Sequence, residues 1–332
     1  MRIRTLANVL FASLLSAAFL AFGTVFAQQS LSIATGGTGG VYYPTGGAYA
    51  EIVNNYLGGY TAAAEVTGAS VENAGLVARG DSDIALALAD TVFQAYTGTV
   101  NFGGDGQPPQ LPNLRALGVA YANAVQLVTL EGSGIETLAD LVGKRVGVGA
   151  PGSGTEVSAR AILEANGITY DDFEEQRLNF NETASALRDG QIDAGFWSVG
   201  PPTSSILDLA TTRDIVLVAI EGQELENGLG ASEVFAPYVI RAGTYPGVDV
   251  DTQTIGTPNV ILVAAEMDDQ LAYDFLDALY TNIDDVIAVH PSANDTTPEL
   301  ALAASPIPLH PAAVRYYQDQ GYEVPARLLP PQ

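Results

Sequence analysis

The chain carries one structural plan twice. Leu31-Ser32-Ile33-Ala34 reads as a short strand, and the loop Thr35-Gly36-Gly37-Thr38-Gly39-Gly40 after it is too glycine-rich to hold regular structure. Tyr49, Ile52, Val53, Tyr56 and Leu57 then fall at helical spacing, and Gly58-Gly59 stops that helix. Thr61 to Thr67 reads as a second strand. Gly68 to Asn73 opens a second helix that ends near Arg79-Gly80, and Asp83 to Leu88 reads as a third strand. Downstream the order recurs. Arg145-Val146-Gly147-Val148 is a strand, and Pro151-Gly152-Ser153-Gly154-Thr155 is a Gly-rich loop. A helix follows to about Ala165, with Gly167 where a C-cap belongs. Another helix runs from Asn181 to near Gly190, before the strand Ile192 to Phe196. Gly80 and Asp83 match Gly190 and Asp193, 110 residues apart.

Alternating strands and helices imply parallel sheets with helices on both faces. Two such units predict an α/β chain of two lobes, and 332 residues suffice for two domains. Leu127-Val128-Thr129-Leu130 is expected as a crossing strand between the lobes, and Asn259 to Val263 as the return. The expected division puts residues 28–123, with part of the C-terminal region from about 256 to 332, in lobe 1. Residues 124–255 form lobe 2. Gly103 to Pro112 is a surface loop, and the helix around Leu271, Phe275 and Leu279 packs on the lobes with the tail.

The first residues read as an address. Arg2 and Arg4 precede an apolar stretch from Leu6 to Phe22, and Val25-Phe26-Ala27 offers a small-residue cleavage site. The expectation is a signal peptide over residues 1–27, cleaved after Ala27, and a periplasmic protein that begins at Gln28. The alternative, a retained anchor, is disfavoured because the stretch is short for a bilayer span. Loss of Arg2 and Arg4 takes the formal net charge from -25 to -27. Thirteen basic residues against 38 acidic ones argue against nucleic acid and against an anionic membrane surface. Cysteine is absent, which removes disulfides, thiolate metal ligands and cysteine nucleophiles.

Ligands of such sheets bind beyond the carboxyl ends of the strands, where both Gly-rich loops lie. A loop of this kind before a helix offers free backbone N–H groups, and the helix dipole favours an anion there. Thr35, Gly36, Gly37, Thr38, Gly39 and Gly40 suit that work, though the same residues also suit a tight turn without a ligand. A dinucleotide loop fits poorly, since Tyr42 stands where its third glycine belongs. Ser153-Gly154-Thr155-Glu156 is a capping-box pattern that can also lend the Ser153 and Thr155 hydroxyls to a ligand. Thr67, Ser70 and Asn73 mark a third helix start. Tyr42, Tyr121 and Trp197 lie at or just beyond expected strand ends, where aromatics can wall a pocket, although such a residue taken singly is more often core. Asp90 follows a strand and suits either an amine ligand or a helix cap. Catalysis finds little support. His290 and His310 both precede proline near the C-terminus, and no histidine is placed to serve Ser153 as a base. No His cluster suits a metal, and no cofactor is expected.

Ile33 to Pro44, with its Thr35-Gly36-Gly37-Thr38-Gly39-Gly40-Val41-Tyr42-Tyr43 run, resembles the opening of the TAXI family. These are extracytoplasmic solute-binding proteins of tripartite ATP-independent periplasmic (TRAP) transporters. The resemblance continues through Ser70-Val71-Glu72-Asn73, Gly149 to Thr155 and Gly243-Thr244-Tyr245-Pro246-Gly247, and ends in Pro308 to Tyr317. It implies a two-lobed periplasmic binding protein of type II-like fold, each lobe a sheet flanked by helices, joined by crossing hinge strands. It implies a small carboxylate ligand, a glutamate-like amino acid or a dicarboxylate such as 2-oxoglutarate, delivered to TRAP membrane permease subunits. The residues it carries over are the Gly36 to Tyr42 loop, Thr67, Ser70, Asn73 and the Ser153-Gly154-Thr155 loop. Two stretches depart from the family pattern. Leu86-Ala87-Leu88-Ala89 stands where Gln and Ser are common, and Trp197 to Pro202 replaces a commoner Gly-Gly-x-Pro turn. The expected protein is a monomer without catalytic activity. The alternatives are a receptor feeding a sensor kinase and, from another class, an exported hydrolase using Ser153.

Overall fold

Ile33-Ala34 and Ile84 to Leu88 are continuous apolar runs, the pattern of strands covered on both faces. In the computed structural model, which describes residues 28–331 apart from Asp105, both runs are buried. The expected signal segment 1–27 lies outside the described residues. Strand β1 (Gln29–Ala34) pairs in parallel with β2 (Tyr60–Glu65) on one edge and β3 (Ile84–Leu88) on the other. Helix α1 (Tyr42–Tyr56) returns the chain from β1 to β2, burying Tyr49, Ile52 and Val53. Helix α2 (Ser70–Arg79) leads into β3, and α3 (Ala89–Thr97) leaves it. Gly80 ends α2 at φ 74°, a left-handed angle that glycine takes without a Cβ penalty. Asp83 then ties the start of β3 to β1. Its carboxylate accepts the Ser32 N–H at 2.8 Å, and its own N–H donates to Ser32 O at 3.1 Å.

The second unit repeats these connections. After β4 (Leu114–Leu130), strand β5 (Arg145–Gly147) pairs in parallel with β6 (Glu174–Gln176) and β7 (Ala194–Val199). Helices α4 (Gly154–Ala165) and α5 (Phe180–Arg188) make the crossovers. Gly190 has φ 68°. Asp193 accepts the Arg145 N–H at 2.9 Å and returns an N–H to Arg145 O at 2.8 Å. The Gly-x-x-Asp match between the halves therefore has a physical cause: each copy ends a helix and staples the next strand to its neighbour.

Strand β4 and its partner β10 (Thr252–Ala264) join the halves. They pair antiparallel from Leu114/Ala264 to Ala124/Gly256, with register shifts between Pro258 and Val260 and between Ile261 and Leu262. The strand order β2-β1-β3-β10-β4-β7-β5-β6 reads as a triplet, two long strands and the same triplet mirrored. Strand β8 (Ile215–Val218) adds to β4, and β9 (Ala236–Ile240) to β10. The expected crossing strands Leu127–Leu130 and Asn259–Val263 are only parts of these longer ones. Gly118, Asn123, Gln126 and Pro258 interrupt the apolar pattern from which a strand is read.

Helices α6 (Ser204–Ala210) and α7 (Gly222–Leu229) belong to the second half of the chain. The C-terminal helices α8 (Asp269–Thr281), α9 (Ile283–Val289), α10 (Pro298–Ala304) and α11 (Pro311–Asp319) return to the β1 side. Phe275 of α8 meets Tyr49 of α1 edge-on at 5.8 Å, and the Tyr317 hydroxyl donates to Leu117 O at 2.9 Å. A separate apolar core around Val146, Ile162, Leu163, Phe196 and Ile255 fills the other half. Burying each such large side chain stabilises by about 1.5–3 kcal/mol.

Candidate ligand-binding cleft

Both Gly-rich loops leave the carboxyl ends of their strands and face one cavity of about 230 Å³. From the first half it is lined by Gly36, Gly37, Gly40 and Tyr42, by Thr67 to Ser70, and by Leu88. From the second it is lined by Ala150, Ser153, Gly154, Thr155, Asn179, Phe180, Ser198 and Val199. Asn123 of the crossing strand β4 contributes at the junction. Four helices, α1, α2, α4 and α5, begin at this wall, two from each half. The N–H groups of a first helical turn have no partner within the helix, and the dipole places partial positive charge there. Neither α1 nor α2 has a side-chain cap. The lining contains no charged side chain.

The hydroxyls at the wall are set to donate. Ser70 Oγ accepts the Leu88 N–H at 3.0 Å, Ser153 Oγ the Glu156 N–H at 3.2 Å, and Thr155 Oγ1 the Ser198 N–H at 3.2 Å. Each backbone donor occupies a lone pair and leaves the O–H proton unused by that bond. Ser198 Oγ, also at the wall, is buried without a partner. Ala69 holds φ 75° and ψ -143°, a region glycine favours, at the start of α2. Strain of that kind costs about 1–3 kcal/mol and collects at ligand sites.

Of the residues singled out from the sequence, Gly36, Gly37, Gly40, Tyr42, Thr67, Ser70, Ser153, Gly154 and Thr155 come together at the cavity. The Thr67 hydroxyl is engaged by Asn73 Oδ1 at 2.6 Å, Thr35 O at 3.0 Å and the Ala69 N–H at 3.0 Å. Tyr42 donates to Asn259 Oδ1 at 2.5 Å, and burial, chiefly, raises its pKa. Thr35, Thr38, Gly39, Asn73, Asp90, Tyr121 and Trp197 stand outside the lining. Thr35 gives its hydroxyl to Glu65 O at 2.6 Å. Asn73 is buried and staples the strand ends, donating to Thr35 O at 2.6 Å and Leu86 O at 2.7 Å. Thr38 and Gly39 form the lip that touches the other half. Asn181 Nδ2 reaches Thr38 Oγ1 at 3.4 Å, and the Ser204 hydroxyl donates to Gly39 O at 3.2 Å.

Asp90 is fully buried where the halves meet, accepting the Ser158 hydroxyl at 2.7 Å and the Thr91 N–H at 2.8 Å. Burial pushes its carboxyl up to about 6, against the lowering effect of those hydrogen bonds. Tyr121 and Trp197 were expected at strand ends. They lie inside β4 and β7 instead, wholly buried, because both strands run on past the read segments. Trp197 supports the wall from behind, stacked on Phe180 at 6.1 Å and bonded through Nε1 to Ser205 Oγ at 3.2 Å. The capping box at Ser153 is half formed. Glu156 turns away to Arg160 at 2.8 Å and Arg177 at 3.2 Å.

The sequence reading passed over Asn123, Asn179, Phe180 and Ser198. Asn179 and Phe180 carried a usable signal. Asn179-x-x-Glu182 is a capping box, and both of its bonds form at 2.9 and 3.1 Å. Read from Asn179, it starts α5 at Phe180, beside the cavity. Asn123 and Asn259 form a buried reciprocal amide pair at 2.8 and 3.1 Å across the two crossing strands. No local pattern announces that pairing, which joins residues far apart in sequence. The Val71 N–H also donates to Gly152 O at 3.1 Å, so the halves touch around the cavity in a closed arrangement.

The model of the NMT1-like family matches residues 33–321. The chain belongs to the NMT1-like family. Among solved structures, a periplasmic transporter is similar at 12% identity and a TM-score of 0.53, over 82% of this chain and 88% of that one. PhnD1 from Prochlorococcus marinus, in complex with methylphosphonate, is similar at 10% identity and a TM-score of 0.51, over 80% and 90% of the two chains. A protein from Bordetella bronchiseptica is similar at 16% identity and a TM-score of 0.50, over 92% and 86%. At such identities the likeness concerns the fold, and this NMT1-like chain has the two-lobed periplasmic binding protein fold. Among the described residues no three His, Asp or Glu side chains gather as metal ligands, and no helix is long and apolar enough to cross a membrane.

Proposed function

We propose that this protein is the extracytoplasmic solute-binding subunit of a TRAP transporter, taking up a small carboxylate between its lobes and delivering it to membrane permease subunits. The observation that carries the reading is an uncharged cavity, walled by both halves, on which four helix N-termini and the hydroxyls of Ser70, Ser153, Thr155 and Ser198 converge. That constellation stabilises an anion without a cationic side chain. The TRAP assignment rests on the TAXI-like motifs from Ile33 to Tyr317. Lobe 1 then comprises residues 28–123 with the C-terminal region from 256, and lobe 2 comprises 124–255. Strand pairing supports that division: β4 meets β7 from Ala124 onward, and β10 meets β9 up to Gly256. Export with cleavage after Ala27 follows from the signal-like start.

A hydrolase reading lacks support. Ser153 Oγ is bound to the Glu156 N–H, and His290 and His310 are engaged by the carbonyls of Pro202 and Met267, away from the lining. Native mass spectrometry of the freshly purified exported protein tests the capture, and the expected result is a co-purified small acid. A neutral or cationic ligand would overturn it. Uptake into proteoliposomes tests the partner. Transport of the acid through TRAP permease subunits supports the assignment, and transport only through an ATP-driven permease overturns the partner while leaving capture intact.

A further inference from the structure

The charges absent from the cavity wall restrict the ligand further. Given carboxylate capture as proposed above, the wall narrows the class of acid. One carboxylate is well provided for. Ser70, Thr155 and Ser198 line the wall where α2 and α4 begin, and Ser198 Oγ is buried with no partner of its own. A second negative charge finds no Arg, Lys or His in the lining, and the remaining helix starts suit it less: α5 is already capped by Asn179 with Glu182 in its first turn, and α1 begins at the apolar Val41. An ammonium fares worse. No carboxylate lines the wall, and helix N-termini with outward O–H groups repel a cation. The buried carboxylate nearby, Asp90, is held by Ser158 and Thr91 outside the lining. The remaining wall is apolar: Val41, Val66, Leu88, Phe180 and Val199, with Phe180 held in place by its stack on Trp197. A cavity of about 150 Å³ accepts benzene. The 230 Å³ here therefore leaves room for a single ring or a branched chain plus one carboxylate.

We propose that the ligand is a monocarboxylate with an uncharged apolar body, its carboxylate among the Ser70, Thr155 and Ser198 hydroxyls and its body against Phe180. The glutamate-like amino acids and dicarboxylates implied by the family resemblance are excluded on this reading. Titration calorimetry on the exported full chain, after exhaustive dialysis, tests it with benzoate, isocaproate, 2-oxoglutarate, glutamate and benzamide. Benzoate or isocaproate is expected to bind at least about a hundredfold more tightly than 2-oxoglutarate or glutamate, since an unpaired buried charge is that costly. Benzamide, with the same body and no charge, is expected to bind at least about tenfold more weakly than benzoate. Phe180→Ala should weaken the monocarboxylate about tenfold. Tighter binding of 2-oxoglutarate or glutamate would overturn this inference and leave carboxylate capture standing. Benzamide binding as tightly as benzoate, or no binding by any of the acids, would overturn carboxylate capture and this inference with it.

Discussion

In the first half of the cleft, the loop after β1 reaches α1 through Gly36, Gly37, Gly39 and Gly40, and no side chain caps the helix. In the second, the loop after β5 ends on Ser153, which caps α4, and Thr155 reaches across to the Ser198 N–H. The strand triplets behind the loops have the same order, parallel pairing and Asp staple. The shared part positions two strand ends opposite each other. The part that differs is the chemistry: bare backbone and apolar walls mainly on one side, hydroxyl donors mainly on the other. The glycines of the first loop also serve contact between the halves, since a Cβ on Gly39 would stand 2.1 Å from Asn181 Oδ1.

The largest expected effect falls on the contact between the halves. Asp90 of the first meets Ser158 of the second in a buried bond, and burial raises its pKa from 3.8 to about 6. A carboxyl raised in the folded state contributes stability that is fully present below its unfolded pKa and lost as pH rises through the folded one. The loss between about pH 4 and 6 is on the order of 3 kcal/mol. Asp90→Asn never ionises, keeps the Thr91 N–H on Oδ1 and reverses the other bond, with Nδ2 donating to Ser158 Oγ. Thermal unfolding as a function of pH should show the variant more stable at pH 7.5, with a flatter profile over that window. An unchanged profile would mean that Asp90 is hydrated in solution.

Next comes the asymmetry of the loops. A Cβ on Gly154 would stand 2.5 Å from Leu88 Cδ1 of the opposite half, whereas one on Gly37 would meet nothing within 4 Å. Gly154→Val should lower ligand affinity about ten- to hundredfold by propping the lobes apart. Gly37→Ala should change it less than about twofold. Equal losses would dissolve the distinction between the two loops.

Smaller effects separate the two staples. Asp193 also pairs with Arg145 at 2.6 Å, and that bond chiefly holds its pKa below the usual carboxylate value. Its contribution is present above the unfolded pKa and lost as pH falls through the folded one. Asp193→Ala should cost about 2 kcal/mol and Asp83→Ala about 1 kcal/mol in denaturant unfolding, because the exposed ion pair adds at most about 1. Ser153→Ala should cost about 1 kcal/mol through its lost cap, with no counterpart in the first half.

Much of this architecture was legible in the sequence because it is local. Apolar runs, Gly stops and the Gly-x-x-Asp echo each lie within a few residues, and they located both triplets and both loops. The junction was harder to read. Strand β4 passes through Asn123 and Gln126, whose side chains are satisfied by Ser198 O, Asn259 and Val199 O from distant segments. No periodicity reveals polar residues paired at such range. The same limit placed Trp197 and Tyr121 at strand ends, when the strands continue past them. It also left Phe180 unread, although the capping box beginning at Asn179 marks the helix start beside it.

Small-angle scattering on the purified protein tests most directly the claim that the two unlike halves form one site. Scattering should be recorded without ligand and at saturation with the acid found by native mass spectrometry. The expected result is a smaller radius of gyration with the acid bound, as the loop at Gly39 meets Ser204 and the loop at Gly152 meets Val71. An unchanged radius at verified saturation would contradict the account, since the acid would then occupy a site that does not draw the lobes together.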